Sequence, residues 1–216
     1  MGEIFYIFKR RRNEISREVA KNFIRVKYFI MRKIILDLAV TLDGFIEGPN
    51  GEIDWCNMDP EPDSTDFLGD LLDDIDSIFY GRISYDLWGN FIPGEDLPVE
   101  MKWAYEKINA KKKYVFSTTK TTDDKAVIVN SNIKERVMEI LQQPGKNIWM
   151  YGGAKLITTF INYGLIDVYR LAVHPVILGS GKPLFKDIVQ RVNLKLIDTK
   201  SSNSGVIMLK YERTIR

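Results

Sequence analysis

From Lys33 onward, short runs rich in β-branched and aromatic residues alternate with stretches whose apolar residues recur at helical spacing. That alternation restricts the chain to a largely parallel sheet with helices packed on its faces. Residues 34–40 read as the first buried strand, and 77–80, 114–117, 126–129 and 147–151 as four more. Between them fall five helical patterns. One carries Phe67, Leu68, Leu71, Leu72 and Ile75; a short one runs from Arg82 to Trp88; a third begins at Pro98 and turns Met101, Ala104, Tyr105 and Ile108 inward. The fourth carries Ile133, Val137, Ile140 and Leu141, with Asn132 placed to cap it and Glu135 at its third position. The fifth opens at Gly152-Gly153 and carries Leu156, Ile157, Phe160 and Ile161. The remainder, 166–177, 191–199 and 206–213, is strand-rich, the last two joined by the turn-like Ser201–Gly205. The expected fold is a three-layer α/β domain: a mostly parallel central sheet, helices on both faces, and antiparallel C-terminal strands.

Composition removes several function classes. Cys56 is the one cysteine and His174 the one histidine, so an intrachain disulfide is impossible, a protein zinc site is not expected, and a reducing, cytoplasmic setting is. No apolar run reaches the roughly 18 residues that span a bilayer, so no membrane partner is expected. The net charge of +2 hides an asymmetry: residues 1–30 hold eight Lys/Arg against three Glu, leaving 23 basic and 26 acidic residues in 31–216. A mildly acidic main domain argues against nucleic acid as its partner. We read 31–216 as one nucleotide-binding domain and 1–30 as a basic N-terminal extension. That extension is either sequence upstream of a true start at Met31 or an amphipathic helix with Ile15, Val19, Phe23 and Val26 on one side.

In an open α/β sheet, ligands bind beyond the carboxyl ends of the strands. Three junctions there offer groups suited to phosphate. Gly81-Arg82-Ile83-Ser84 combines close backbone approach, a guanidinium and a hydroxyl; Tyr151-Gly152-Gly153-Ala154-Lys155 places two glycines at a helix start; Ser117-Thr118-Thr119-Lys120 adds hydroxyls and a cation past a strand. Each alone has an ordinary reading as a turn or helix start, and together they favour a phosphate-bearing ligand.

The order and content of four segments resemble the dihydrofolate reductase superfamily, in particular the reductase domain of bacterial riboflavin-biosynthesis proteins. These are Leu38-Ala39-Val40-Thr41-Leu42-Asp43-Gly44-Phe45-Ile46, Gly81–Tyr85, Tyr151–Leu156 and His174–Phe185. The resemblance spans essentially all of 31–216. It implies that backbone groups of Ala39 meet the nicotinamide carboxamide of NADPH, that the loop with Ile46 and Gly48 covers the ring, and that Gly81, Arg82, Ile83 and Ser84 hold phosphates. It also puts Ser117 and Thr118 near the adenosine 2′-phosphate, and Tyr151, Gly152, Gly153, Ala154, Lys155 and Leu156 around the pyrophosphate. The choice between NADPH and NADH stays open, because Arg82 can serve either.

The substrate side carries no decisive residue. Asp54, next to Trp55, does not clearly take the place of the superfamily's substrate carboxylate, and Asp43 fits a turn better than a catalytic role. His174 reads as a structural histidine in an apolar strand, and the aromatics Trp88, Phe91, Trp103 and Tyr105 as core. By resemblance, the expected activity is NADPH-dependent reduction of a small heteroaromatic or imine-like molecule, of the pterin or ribosylaminopyrimidine class, by a homodimer. The alternative is a nucleotide-binding relative without catalysis, with a regulatory or stress role.

Overall fold

The computed structural model describes residues 31–56, 62–92, 94, 97 and 99–214, with the side chains of 62–67 and 100 left aside. The expectations for residues 1–30, Phe67 and Pro98 fall outside these. Among the described residues, ten strands and five helices follow one another: β1 (Ile34–Thr41), β2 (Phe45–Glu47), α1 (Pro62–Asp74), β3 (Ile75–Gly81), α2 (Arg82–Ser84, continued by a π turn at Tyr85–Gly89), α3 (Val99–Asn109), β4 (Lys112–Phe116), β5 (Val127–Val129), α4 (Ile133–Leu141), β6 (Asn147–Gly152), α5 (Ala154–Asn162), β7 (Val168–His174), β8 (Lys182–Pro183), β9 (Leu194–Ser201) and β10 (Ile207–Arg213).

Eight of the strands form one sheet in the order β5-β4-β3-β6-β1-β7-β10-β9, and β2 pairs with β8 in a separate ribbon. The first six of that order run parallel, whereas β10 is antiparallel to both β7 and β9. This is the expected three-layer arrangement. On one face, Leu71 and Leu72 of α1 and Ala104 and Ile108 of α3 pack with Ile35, Ile78, Tyr80, Val115 and Trp149. On the other, Phe160 of α5 meets the rings of Phe79 and Phe116 edge-on at 5.8 and 5.2 Å. Strand side chains alternate between the two faces, so each apolar run in the centre feeds both layers.

Two local expectations are corrected. Asn132 does occupy the N-cap of α4, but in a left-handed conformation (φ 48°) with no side-chain hydrogen bond to the helix. Its amide is turned away from the N–H groups it would have satisfied. Trp103 is not core: it lies 38% exposed with the Lys107 ammonium 4.4 Å over its ring, while Trp88, Phe91 and Tyr105 are half-buried. The packing therefore separates two substitutions. Leu72→Ala should lower unfolding free energy by about 2–5 kcal/mol in urea titration, and Trp103→Ala by less than about 1 kcal/mol.

Candidate functional site: a fork between two central strands

β1 and β6 pair over Ile34–Leu36 and Ile148–Met150 only. Beyond that point β1 stays with β7 as far as Thr41 and His174, while β6 stays with β3. The two central strands thus part at their carboxyl ends and leave backbone groups facing a gap. The indole N–H of Trp149 fills its first position by donating to the Asp37 carbonyl oxygen at 2.9 Å. Because the pleat repeats every two residues, the N–H and C=O of Ala39 face the same gap.

Beside this fork, β6, β3 and β4 end next to one another, with Gly81 opposite Phe116 and Tyr80 opposite Gly152. A Cβ added to Gly81 would stand 3.1 Å from the Gly153 nitrogen, and one added to Gly153 would stand 3.1 Å from the Ser84 hydroxyl. Gly152 has φ +140°, a conformation that side chains rarely take. The Gly152–Gly153 peptide is cis. Gly81, Ser84, Gly152 and Gly153 are therefore one cluster, with Ala154, Lys155 and Leu156 opening α5 immediately behind it. Tyr151 is half-buried, its ring 4.8 Å from that of Tyr80. Ile83 points outward, 64% exposed.

Charged groups line the outer side of the cluster. Arg82 donates from Nη1 to Asp86 Oδ2 at 2.9 Å, and Lys120 Nζ lies 3.7 Å from Asp86 Oδ1 and 3.0 Å from Asp123 Oδ2. Burial opposes ionisation of Asp123, yet donation from the Tyr85 hydroxyl (2.7 Å), the Lys125 N–H (2.9 Å) and Lys120 brings its carboxyl down to about 2. Ser117 is turned into its own loop, its Oγ accepting the N–H groups of Thr119 (3.1 Å) and Lys120 (2.8 Å); Thr118 is exposed beside it.

The loop residues fall elsewhere. Ile46 sits in β2, on the β2–β8 ribbon, and Gly48 closes the tight turn in which its N–H bonds the Glu52 carbonyl at 2.8 Å. Gly48 helps line a recess of about 660 Å³ with Glu47, Pro49, Asn50, Gly51, Gly181 and Lys182, across which Glu47 and Lys182 are ion-paired. Asp43 is part of a turn: its carboxylate accepts from the Thr41 hydroxyl at 2.6 Å and from the Gly179 N–H at 2.7 Å. The Thr41 hydroxyl first, then these amides, hold it below the usual carboxylate range. Asp54 is exposed in the turn before Trp55. The rings of His174 and Trp55 meet T-shaped at 5.4 Å, His174 lies 3.9 Å from Cys56 Sγ, and burial pushes its imidazole below the ordinary value.

Sequence reading missed one pair. In register across β1 and β7 stand Asp37 opposite Arg170, Ala39 opposite Ala172 and Thr41 opposite His174, all on the sheet face that carries Trp149 and Tyr151. The two alanines are half-buried, so small side chains floor the face just where the strands part. Arg170 Nε approaches Asp37 Oδ2 to 3.0 Å. Among the described residues that oxygen nevertheless makes no hydrogen bond, so Arg170 offsets the charge without donating to it. Burial pushes the Asp37 carboxyl up to about 6, against the pull of Arg170. The signal was present in the sequence as an acid within Ile34–Val40 and a base within 168–173, since buried charges persist only when paired.

A family model, the RibD C-terminal domain, matches residues 32–208. YyaP of Bacillus subtilis (strain 168), an uncharacterized protein, is 56% identical over 181 residues, covering 83% of this chain and 94% of its own. A pyrimidine reductase-like protein from Corynebacterium diphtheriae NCTC superposes with TM-score 0.63 at 15% identity, covering 86% of this chain and 93% of that one. Dihydrofolate reductase from Enterococcus faecalis, solved with NADP(H), superposes with TM-score 0.58 at 16% identity, covering 85% and 97%. At those identities the two structures establish the fold, which is that of dihydrofolate reductase.

Asp37 gives the site a pH signature. Its carboxyl titrates higher in the folded chain than in the unfolded one, so its contribution to stability is full below about pH 4 and is lost as pH rises through about 6. Relative to Asp37→Asn, the wild-type chain should lose on the order of 2–3 kcal/mol of unfolding free energy between pH 4 and pH 7, measured by denaturant titration. A constant difference across that range would place the group in water.

Proposed function

The chain belongs to the RibD C-terminal domain family, and from that membership we propose that it is an NADPH-dependent reductase of a small heteroaromatic or imine-like substrate. The pterin and ribosylaminopyrimidine classes are the substrates to test. One observation carries this reading: the backbone cradle of Gly81, Gly152 and Gly153, which any Cβ would fill, opens beside the gap that Ala39 faces. Such a cradle fits a pyrophosphate, which needs close N–H groups, and the gap fits a carboxamide, which needs one donor and one acceptor.

When bound, a reduced nicotinamide supplies a hydride. The protein's share of the chemistry is alignment, exclusion of water and a proton. Ala39 and Ala172 leave room over the floor for a flat ring, and Trp55 and Cys56 close over His174 at its end. Asp37 is the group on this face suited to hold the proton near neutral pH, with Arg170 beside it to balance the charge left behind. We assign the protein to the cytoplasm as a homodimer; β9, exposed at all eight residues, offers an edge for a second copy. A nucleotide-binding role without catalysis is the second reading, favoured by the engagement of Asp43 in a turn.

Titration of tryptophan fluorescence with NADPH, followed by loss of reduced-nicotinamide absorbance with dihydrofolate or the riboflavin-pathway pyrimidine, tests both. Binding with turnover supports the reductase, binding without turnover of either compound supports the second reading, and no binding at millimolar NADPH sinks both. Gly81→Ala should weaken NADPH about tenfold or more with circular dichroism unchanged, since the new methyl meets the Gly153 backbone rather than a movable side chain.

A further inference from the structure

Arg82 and Lys120 are the two cations at the outer side of the glycine cluster, one leaving β3 and the other in the loop that leaves β4. Asp86 reaches both, through Oδ2 to Arg82 (2.9 Å) and through Oδ1 to Lys120 (3.7 Å). Asp123 holds the far side of Lys120 at 3.0 Å. Two cations thus face two carboxylates, and the charges of these four groups cancel. The carboxylates are not equivalent. Asp123 accepts from the Tyr85 hydroxyl and the Lys125 N–H, and the Asn90 amide donates to the same hydroxyl, so it ties the loop to α2. Among the described residues the Asp86 carboxylate pairs with the two cations alone, and it is 41% exposed.

We infer that Asp86 sets how strongly this chain distinguishes a dinucleotide with an additional phosphoryl group from one without it. The inference rests on the nicotinamide-nucleotide reading above. A phosphoryl group brings about −1.5 to −2 of charge. Placed between Arg82 and Lys120, it meets cations that Asp86 has already neutralised, and must either displace that carboxylate or sit beside it. Both routes oppose the phosphorylated form and leave the unphosphorylated form unaffected. Asp86 is a specificity-determining residue that acts against the phosphate, whereas Arg82 and Lys120 act for it.

The test is equilibrium titration of NADPH and NADH into the wild-type chain and Asp86→Asn, followed by tryptophan fluorescence at two salt concentrations. The Asp86 side chain is exposed and pairs with two cations at the surface, so the variant keeps the fold, which circular dichroism checks. In the wild type, the two affinities should agree within about tenfold. Asp86→Asn should tighten NADPH about fivefold or more at low salt, change NADH less than about twofold, and lose most of that gain at high salt as screening sets in. An unchanged NADPH-to-NADH ratio would overturn the inference while leaving the cofactor reading intact. So would weaker NADPH binding in the variant, because Asp86 would then be positioning Arg82 for the phosphate. Failure of the wild type and the variant to bind either nucleotide would overturn both readings.

Discussion

β1 and β6 share a ladder of three residues and then separate, each following a different neighbour toward its carboxyl end. Peptide groups in the middle of a sheet are ordinarily consumed by the strands beside them. Here the separation leaves a short run of them facing a gap, next to glycines on the adjoining strands. Trp149 satisfies the first of these groups, the Asp37 carbonyl, and so marks where the sheet ends and the site begins. The remaining features follow from that separation. The three glycines keep their backbones close because β3 continues beside β6 after β1 has left, and the half-buried alanines of β1 and β7 floor the face where the strands part.

Charge is handled differently on the two sides of the gap. Beside the alanines of the floor, Asp37 and Arg170 meet in a poorly hydrated place, where the pair has little stabilising value and the carboxyl holds a proton more readily than it would in water. On the outer side, Arg82 and Asp86 are accessible to solvent, where their pair contributes little to stability, while Lys120 and Asp123 are more covered; the sum of the four charges still shapes what is attracted. Chemistry near neutral pH suits the first environment, and recognition of phosphate suits the second.

Much of this molecule is legible in its sequence. The alternation of apolar runs and helical spacing from Lys33 onward gives the layers, because strand and helix periodicities are local properties of the chain. The glycine junctions are legible for a similar reason: Gly81 and Gly152-Gly153 interrupt apolar runs where a side chain would otherwise be expected. What escapes is whatever depends on register between distant segments. Asp37 and Arg170 are single charged letters in two apolar strands, and only the β1–β7 pairing makes them partners. Asp86 reads as one more exposed acid until the loop after β4 brings Lys120 back to it. Asn132 shows the converse, a residue with the right identity for a cap whose backbone conformation turns its side chain away. Trp103 fails as core because an amphipathic helix also has flanks, and a tryptophan there, beside Gly69 and under its own Lys107, stays 38% exposed.

The order of strands also bears on how the chain comes off the ribosome. β10, from the last part of the sequence, is not an edge strand; it is inserted between β7 and β9 and bonds to both. Until it emerges, β7 has one bare side and β9 has no partner at all, although β9 carries the exposed Leu194, Leu196 and Ile197. During synthesis the nascent chain therefore presents two unpaired strand edges, a state in which neighbouring copies can pair wrongly. The lysines that punctuate β9, Lys195 and Lys200, sit where like-charge repulsion discourages such pairing. The segment that seals the sheet follows both of the strands it joins, so their exposure to misassembly lasts until β10 has emerged.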